Sequence, residues 1–90
     1  MSIAEVFGKV LRDIRVGKGL SQEELGFESG YHRTYISLLE RGKKTPSIKA
    51  VFLLASSLEV QPSEIIKRVE AQLDSSHDVS RKENNQNEGC

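Results

Sequence analysis

The sequence of 90 residues carries 13 Lys and Arg against 13 Asp and Glu, and its length fits one small domain. This length excludes a large enzyme with separate cofactor and substrate lobes. No apolar run approaches the ~20 residues of a membrane-spanning helix, and the start contains Glu5 but no basic segment typical of a signal peptide. The single Cys90 excludes an internal disulfide and a zinc site built from cysteines. We expect a cytoplasmic domain that needs neither metal nor cofactor.

The zero net charge conceals an uneven distribution of charged residues. Residues 1–46 hold eight basic and six acidic residues, residues 47–73 hold three of each, and residues 74–90 hold two basic and four acidic. The first half is therefore positive, and the acidic C-terminal segment cancels it in the total. This asymmetry permits binding to nucleic acid but does not require it.

Apolar spacing predicts helices from the N-terminus onward. The first helix has one apolar stripe, formed by Ile3, Phe7, Val10, Leu11 and Ile14. Gly17 and Gly19 end this helix. Ser21 and Glu24 have the spacing of a capping box, which predicts a second helix over Gln22 to Glu28, ended by Gly30.

Three further helices are predicted after Gly30. The third covers Arg33 to Arg41, with His32 as its N-cap and Gly42 as its left-handed stop. The fourth follows a Ser47 cap and the fifth opens with Pro62 in its first turn. The fourth is expected to bury Ile48, Val51, Leu54, Ala55 and Leu58, and the fifth carries Ile65, Ile66, Val69 and Leu73. Strand-like alternation is confined to a few residues, so the predicted fold is an all-α, compact five-helix bundle.

The domain is expected to span residues 1–73. From residue 74 to 90 the only apolar residue before the terminal Cys is Val79. Such a segment cannot bury enough surface to offset the entropy lost on ordering, so a disordered tail is predicted there.

The second and third helices, joined by Ser29-Gly30-Tyr31-His32, have the spacing of a helix-turn-helix. The second helix of such a pair can enter the major groove of DNA. Ile36 and Leu39 are expected to face the core, with Tyr35 and Glu40 beside them. The expected outward residues, with groups suited to base edges, are Arg33, Thr34, Ser37 and Leu38. Phosphate contacts are expected from Gln22 at the start of the second helix and from Lys43 and Lys44 after the third.

These segments resemble the Cro/C1-type helix-turn-helix family, also called the XRE family or lambda repressor-like domains. The resemblance covers roughly residues 7–66 and is carried by Gly19-Leu20-Ser21-Gln22-Glu23-Glu24-Leu25, Gly30, Thr34-Tyr35-Ile36-Ser37-Leu38-Leu39-Glu40-Arg41-Gly42 and Pro46-Ser47-Ile48. Arg33-Thr34-Tyr35-Ile36-Ser37, with Glu40-Arg41, also resembles the controller proteins of restriction–modification systems.

The resemblance implies a DNA-binding bundle that acts as a two-fold dimer on a palindromic operator. It also implies a semi-buried ion pair, here Arg15 with Glu40. It adds His32 to the base-facing positions and Tyr35 to the phosphate contacts. Gly26 departs from the family, which usually has Ala there, and it allows closer packing between the second and third helices.

Each candidate also has a purely structural interpretation. Arg33 is unfavourable as a solvated cation at a helix N-terminus, which favours a DNA contact. Leu38 is either a groove contact or an edge of the core, whereas Tyr35 is better explained as a core-edge residue than as a base reader. His32 lacks the companions that a metal ligand requires.

Five apolar residues of the last two helices exceed what the predicted core stripe requires. They are Phe52, Leu53, Ile66, Val69 and Leu73. They form either additional core around an extended fifth helix or a self-complementary dimer patch, and we favour the dimer.

The leading functional hypothesis is a sequence-specific transcriptional regulator, either repressor or activator, that binds a double-stranded DNA operator as a homodimer. The alternative is an antitoxin-like interaction module that also binds DNA, with the tail folding on a protein partner. We reject an enzyme, because neither His has a visible catalytic companion and no phosphate-binding glycine loop is present.

Overall fold

The computed structural model describes residues 1–76, which form five α-helices and no strand. The helices are α1 (Ile3–Gly17), α2 (Gln22–Ser29), α3 (Arg33–Glu40), α4 (Ile48–Leu58) and α5 (Pro62–Ser76). The predicted all-α class and helix order are confirmed. Helix α5 continues through Ser76, beyond the predicted domain end at residue 73. Residues 77–90 lie outside the described part of the chain, so the predicted tail and its protein partner remain predictions.

Side-chain caps determine where the helices begin. The Ser21 hydroxyl accepts the Glu24 N–H at 2.9 Å, and the Glu24 carboxylate accepts the Ser21 N–H at 2.8 Å, as the predicted capping box requires. The Ser47 hydroxyl accepts the Ala50 N–H at 3.0 Å at the start of α4.

A second capping box, at the start of α1, was not expected from the sequence. The Ser2 hydroxyl accepts the Glu5 N–H at 3.1 Å and the Glu5 carboxylate accepts the Ser2 N–H at 2.9 Å. The bond from the Ser2 backbone lowers the pKa of Glu5. Because that pKa lies below its unfolded value, the cap stabilises the fold at neutral pH, and this stabilisation is lost as the pH falls through the lowered pKa.

The core is a single cluster to which all five helices contribute. Helix α1 packs against α3 and α5, while α2 packs against α3 and α4. The largest fully buried side chains are Leu11, Leu25, Ile36, Leu39, Leu54, Leu58, Ile65, Val6 and Val10. Helix α3 therefore packs against α1 and α2 and contributes Ile36 and Leu39 to the core.

Two residues predicted to be buried are exposed. Ile3 is 51% exposed and Ile48 is 73% exposed. Each is the first residue of its helix, and burial begins only at Val6 in α1 and at Ala50 in α4. The apolar spacing identified the correct stripes but extended each of them too far towards the N-terminus.

The turn between α2 and α3 is tight because of two glycines. Gly30 has a φ of 85°, in the left-handed region, and the Tyr31 N–H donates to the Gly26 carbonyl at 2.9 Å. A Cβ on Gly26 would lie 2.5 Å from the Tyr31 carbonyl oxygen, so the close approach of the Tyr31 backbone to α2 requires glycine at position 26. Within residues 1–76, none of the helices is long and apolar enough to cross a bilayer.

Candidate nucleic-acid interface

Helix α3 has one face in the core and one directed outwards. Ile36 and Leu39 have no exposed surface, whereas Arg33 and Thr34 are exposed. Ser37 and Leu38, which were also expected to face outwards, are half-buried and so less exposed than predicted. The outward face is therefore most accessible at the N-terminal end of α3.

His32 acts as the N-cap of α3. Its Nδ1 accepts the Thr34 N–H at 3.0 Å, although the side chain remains exposed. Because Nδ1 is the acceptor, the neutral imidazole carries its proton on Nε2 and presents a donor outwards. The sequence predicted this cap, and the family resemblance implied a base-facing role for His32, which stays a prediction for this exposed side chain.

Arg33 lies beside an acidic residue of α2. Its Nη1 is 3.8 Å from Oε1 of Glu23, and the two side chains are 65% and 76% exposed. An ion pair this exposed contributes little to stability, so Arg33 can exchange it for another anion or a base. Phe27 is 87% exposed next to this pair and was missed in the sequence because α2 is too short to show a clear apolar period.

Ser37 is hydrogen-bonded to Arg41, the C-cap residue of α3. Nε of Arg41 donates to the Ser37 hydroxyl oxygen at 3.2 Å. Arg41 is exposed and caps the C-terminus of the helix through its backbone N–H. The sequence analysis assigned Arg41 no contact with Ser37, although their i, i+4 spacing indicates that the two side chains can meet.

A buried ion pair fixes α3 to the rest of the bundle. The Glu40 carboxylate accepts from Nε of Arg15 at 2.6 Å and from its Nη2 at 2.9 Å, and the two side chains are 10% and 3% exposed. The bond to Glu40 raises the pKa of Arg15, whose Nη1 also donates to the Leu20 carbonyl at 2.8 Å. The structure thus brings together the two residues of the expected pair.

Gln22 belongs to the same network. Its Nε2 donates to Oε1 of Glu40 at 3.0 Å. The predicted phosphate contact from Gln22 must therefore come from its backbone N–H, at the first position of α2, or from the second N–H of its side-chain amide. Glu40 thereby connects α1, the start of α2 and the end of α3.

Two lysines and one tyrosine flank α3. Lys43 and Lys44 follow α3 and are exposed, past a Gly42 with a φ of 72°. Tyr35 is half-buried, its ring centroid 4.7 Å from that of Tyr31. Burial, and then Tyr31, raise the pKa of Tyr35, so its phenol remains protonated and able to donate at neutral pH. The core-edge interpretation of Tyr35 agrees with this placement.

The five residues assigned to a dimer patch separate into two groups. Phe52, Leu53 and Ile66 are 58%, 37% and 49% exposed. Val69 is only 7% exposed in the core, and Leu73 is partly buried against it. The dimer assignment of Val69 is therefore corrected, because its side chain lies in the core of its own bundle. The dimer role of Leu73, which is partly buried, stays a prediction.

Comparison with known proteins identifies the family. A helix-turn-helix family model matches residues 11–65. Control protein C.BamHI of Bacillus amyloliquefaciens is 41% identical over 66 residues, which cover 72% of this chain and 82% of the relative. Control protein C.SmaI of Serratia marcescens is 34% identical over 68 residues, covering 76% and 81% respectively.

A solved structure agrees in both fold and sequence. The restriction-modification controller protein C.AhdI from Aeromonas hydrophila superposes with a TM-score of 0.68 at 42% identity. The match covers 69% of this chain and 94% of that one. Together with the cap, turn and buried ion pair described above, these similarities show that the chain belongs to the Cro/C1-type helix-turn-helix family and is similar to restriction–modification controller proteins.

Proposed function

We propose that this protein is a transcriptional regulator that binds double-stranded DNA sequence-specifically, as a homodimer on a two-fold symmetric operator. Helix α3 is the reading helix of this proposal: it lies in the major groove, where Arg33 and Thr34 contact base edges. The observation that carries the proposal is the placement of these two exposed side chains on a helix whose opposite face is buried at Ile36 and Leu39.

The charges around α3 support this orientation. The major groove is about 12 Å wide and admits one α-helix. Lys43 and Lys44, exposed beyond the end of α3, contact the phosphates on one side of the groove. The backbone N–H groups at the start of α2 contact a phosphate on the other side. The related proteins are named as control proteins and as helix-turn-helix transcriptional regulators, which supports a role in gene control.

The exposed apolar residues of α4 and α5 support the homodimer. Phe52, Leu53 and Ile66 are large side chains that this bundle leaves in solvent, and a self-complementary contact between two copies would cover them. Such a dimer places its two reading helices about 34–36 Å apart, which is one turn of DNA.

Selection of bound fragments from the source genome tests the proposal. We expect enrichment of an inverted repeat whose half-sites are centred about one helical turn apart. Affinity should fall steeply with salt, because Lys and Arg contacts release counterions from the phosphates. Equal retention of all fragments at moderate salt, or an affinity independent of salt, would contradict the proposal.

Arg33→Ala should relax sequence preference, whereas Lys43→Ala should weaken binding to every sequence alike. We expect a loss of about 1–3 kcal/mol of discrimination at one base pair for Arg33→Ala. Fluorescence anisotropy with the selected operator and with single-base variants measures both effects. Both side chains are exposed, so circular dichroism should show unchanged folding. If Arg33→Ala lowered all affinities equally, Arg33 would be a phosphate contact.

Phe52→Glu should convert the dimer to a monomer, because it places a charge in the apolar contact. Light scattering measures the mass, and Phe27→Glu is the matched control, since Phe27 is an exposed aromatic residue on α2. We expect Phe27→Glu to remain dimeric. A dimer that survives Phe52→Glu but is lost with Phe27→Glu would place the interface on α2 instead.

A further inference from the structure

Ser37 of α3 is hydrogen-bonded to Arg41, the C-cap residue that follows the helix. Arg41 lies one helical turn beyond Ser37, and Ser37 lies one turn beyond Arg33, so the three positions share one flank of the helix. The guanidinium Nε of Arg41 donates to the Ser37 oxygen at 3.2 Å. Ser37 is half-buried and Arg41 is exposed. The pair therefore connects the half-buried Ser37 hydroxyl to an exposed guanidinium just beyond the C-terminal end of α3.

The hydroxyl proton of Ser37 has no acceptor among residues 1–76. Two other helical serines donate theirs to a carbonyl of their own helix: Ser57 to the Leu53 carbonyl at 3.1 Å and Ser29 to the Gly26 carbonyl at 3.3 Å. A hydroxyl offers one donor and two acceptor lone pairs. In Ser37 a charged donor already occupies one lone pair, and the proton is left for a ligand.

We propose that Arg41 is a specificity-determining positioning residue. By donating to the Ser37 oxygen, it orients the hydroxyl so that its proton is donated to an acceptor atom on a base edge. The inference rests on the proposed function, because it concerns the same helix in the major groove. Guanine, adenine and thymine each present an acceptor there, whereas cytosine presents only its N4 amino donor. Cytosine is thus the base that Ser37 excludes.

The exclusion follows from hydrogen-bond accounting. If cytosine N4 donated to the Ser37 oxygen, that oxygen would receive two donors and its own proton would have no partner. Burying a donor without an acceptor in an interface that excludes water costs more binding free energy than one hydrogen bond contributes. His32, at the other end of α3, likewise has an occupied acceptor and a remaining donor: its Nδ1 accepts the Thr34 N–H, and its Nε2–H is left to donate.

The test compares four operator duplexes that differ only at the base that Ser37 reads. Fragment selection with Ser37→Ala identifies that base as the position where sequence preference disappears. We expect the wild-type protein to bind the cytosine duplex about tenfold more weakly than the best of the other three. Arg41→Ala should reduce this ratio to about twofold, because the Ser37 hydroxyl is then free to donate to the Arg33 carbonyl, as Ser57 does to the Leu53 carbonyl, and to accept from cytosine N4. The preference at the Arg33 position should remain unchanged. The double variant Ser37→Ala/Arg41→Ala should lose no further selectivity.

Lys43→Ala is the matched control, a neighbouring exposed cation for which no bond to Ser37 is found. It should weaken all four duplexes equally and retain the tenfold ratio. If Arg41→Ala did the same, or if Ser37→Ala changed no position, the positioning role would be overturned while the proposed function stood. Failure of the wild-type protein to prefer any sequence would instead contradict both.

Discussion

Glu40→Ala is expected to lower the free energy of unfolding by about 3–5 kcal/mol. The carboxylate accepts bonds from Arg15 at 2.6 and 2.9 Å and from Gln22 at 3.0 Å, in a site where its side chain is 3% exposed. Its removal leaves the Arg15 guanidinium buried without a counter-charge, which is the main part of the loss. For a domain of this size the melting temperature, measured by circular dichroism, should fall by roughly 15 °C or more.

A double replacement distinguishes the cost of leaving one charge unpaired from the net contribution of the ion pair to the free energy of unfolding. Arg15→Met with Glu40→Leu removes both charges and fills the space with apolar side chains. We expect a smaller loss than for Glu40→Ala alone, because no buried charge is left uncompensated. A loss below about 1 kcal/mol for Glu40→Ala would show instead that solvent reaches the pair and screens it.

Gly8→Ala is expected to destabilise the fold by about 2–3 kcal/mol. Alanine is a better helix former than glycine by about 1 kcal/mol, so propensity alone predicts the opposite sign. A Cβ on Gly8 would however lie inside the contact distance of the Leu39 carbonyl oxygen and 2.7 Å from that of Glu40. Both atoms belong to the backbone at the end of α3, which must then move away from α1.

Gly17→Ala is the matched control on the same helix. A Cβ there meets nothing within 4 Å, so the substitution should stabilise the fold by up to about 1 kcal/mol. Urea unfolding of the two variants gives the comparison. Stabilisation by Gly8→Ala would show that α1 and α3 can separate at little cost, and that their close approach does not determine where the reading helix lies.

Much of the fold follows from local sequence signals. The capping box of Ser21 and Glu24, the His32 and Ser47 caps and Pro62 in the first turn of α5 located the beginnings of four helices. These signals are reliable because each satisfies backbone N–H groups within a single turn. The capping box of the first helix carries the same local signal, since the spacing of Ser2 from Glu5 is the same as that of Ser21 from Glu24.

Burial was less predictable than helix position. A helical period gives the direction of an apolar stripe but not the point where neighbouring helices cease to cover it. For this reason Ile3 and Ile48 were wrongly expected in the core. For the same reason Val69 was assigned to a dimer, although it lies in the core of its own bundle. Only the packing of α5 against α1 and α4 could settle that assignment.

The sequence predicted which residues of the candidate site are exposed, but not the hydrogen bonds between their side chains. Arg33 and Thr34 are exposed on α3, as the sequence indicated. The bonds from Gln22 to Glu40 and from Arg41 to Ser37 depend on how α2 approaches α3 and on side-chain rotamers. Local propensity contains no information on either. These two bonds change which atoms remain available to DNA.

Intermolecular nuclear Overhauser effects with a selected operator duplex test the central claim most directly. If α3 lies in the major groove, the methyl group of Thr34, which is exposed at its start, should show contacts to cytosine H5 or thymine methyl protons. Residues of α4 such as Phe52 should show none. Contacts to minor-groove protons, or contacts that arise from α4 or α5 while Thr34 shows none, would contradict the account.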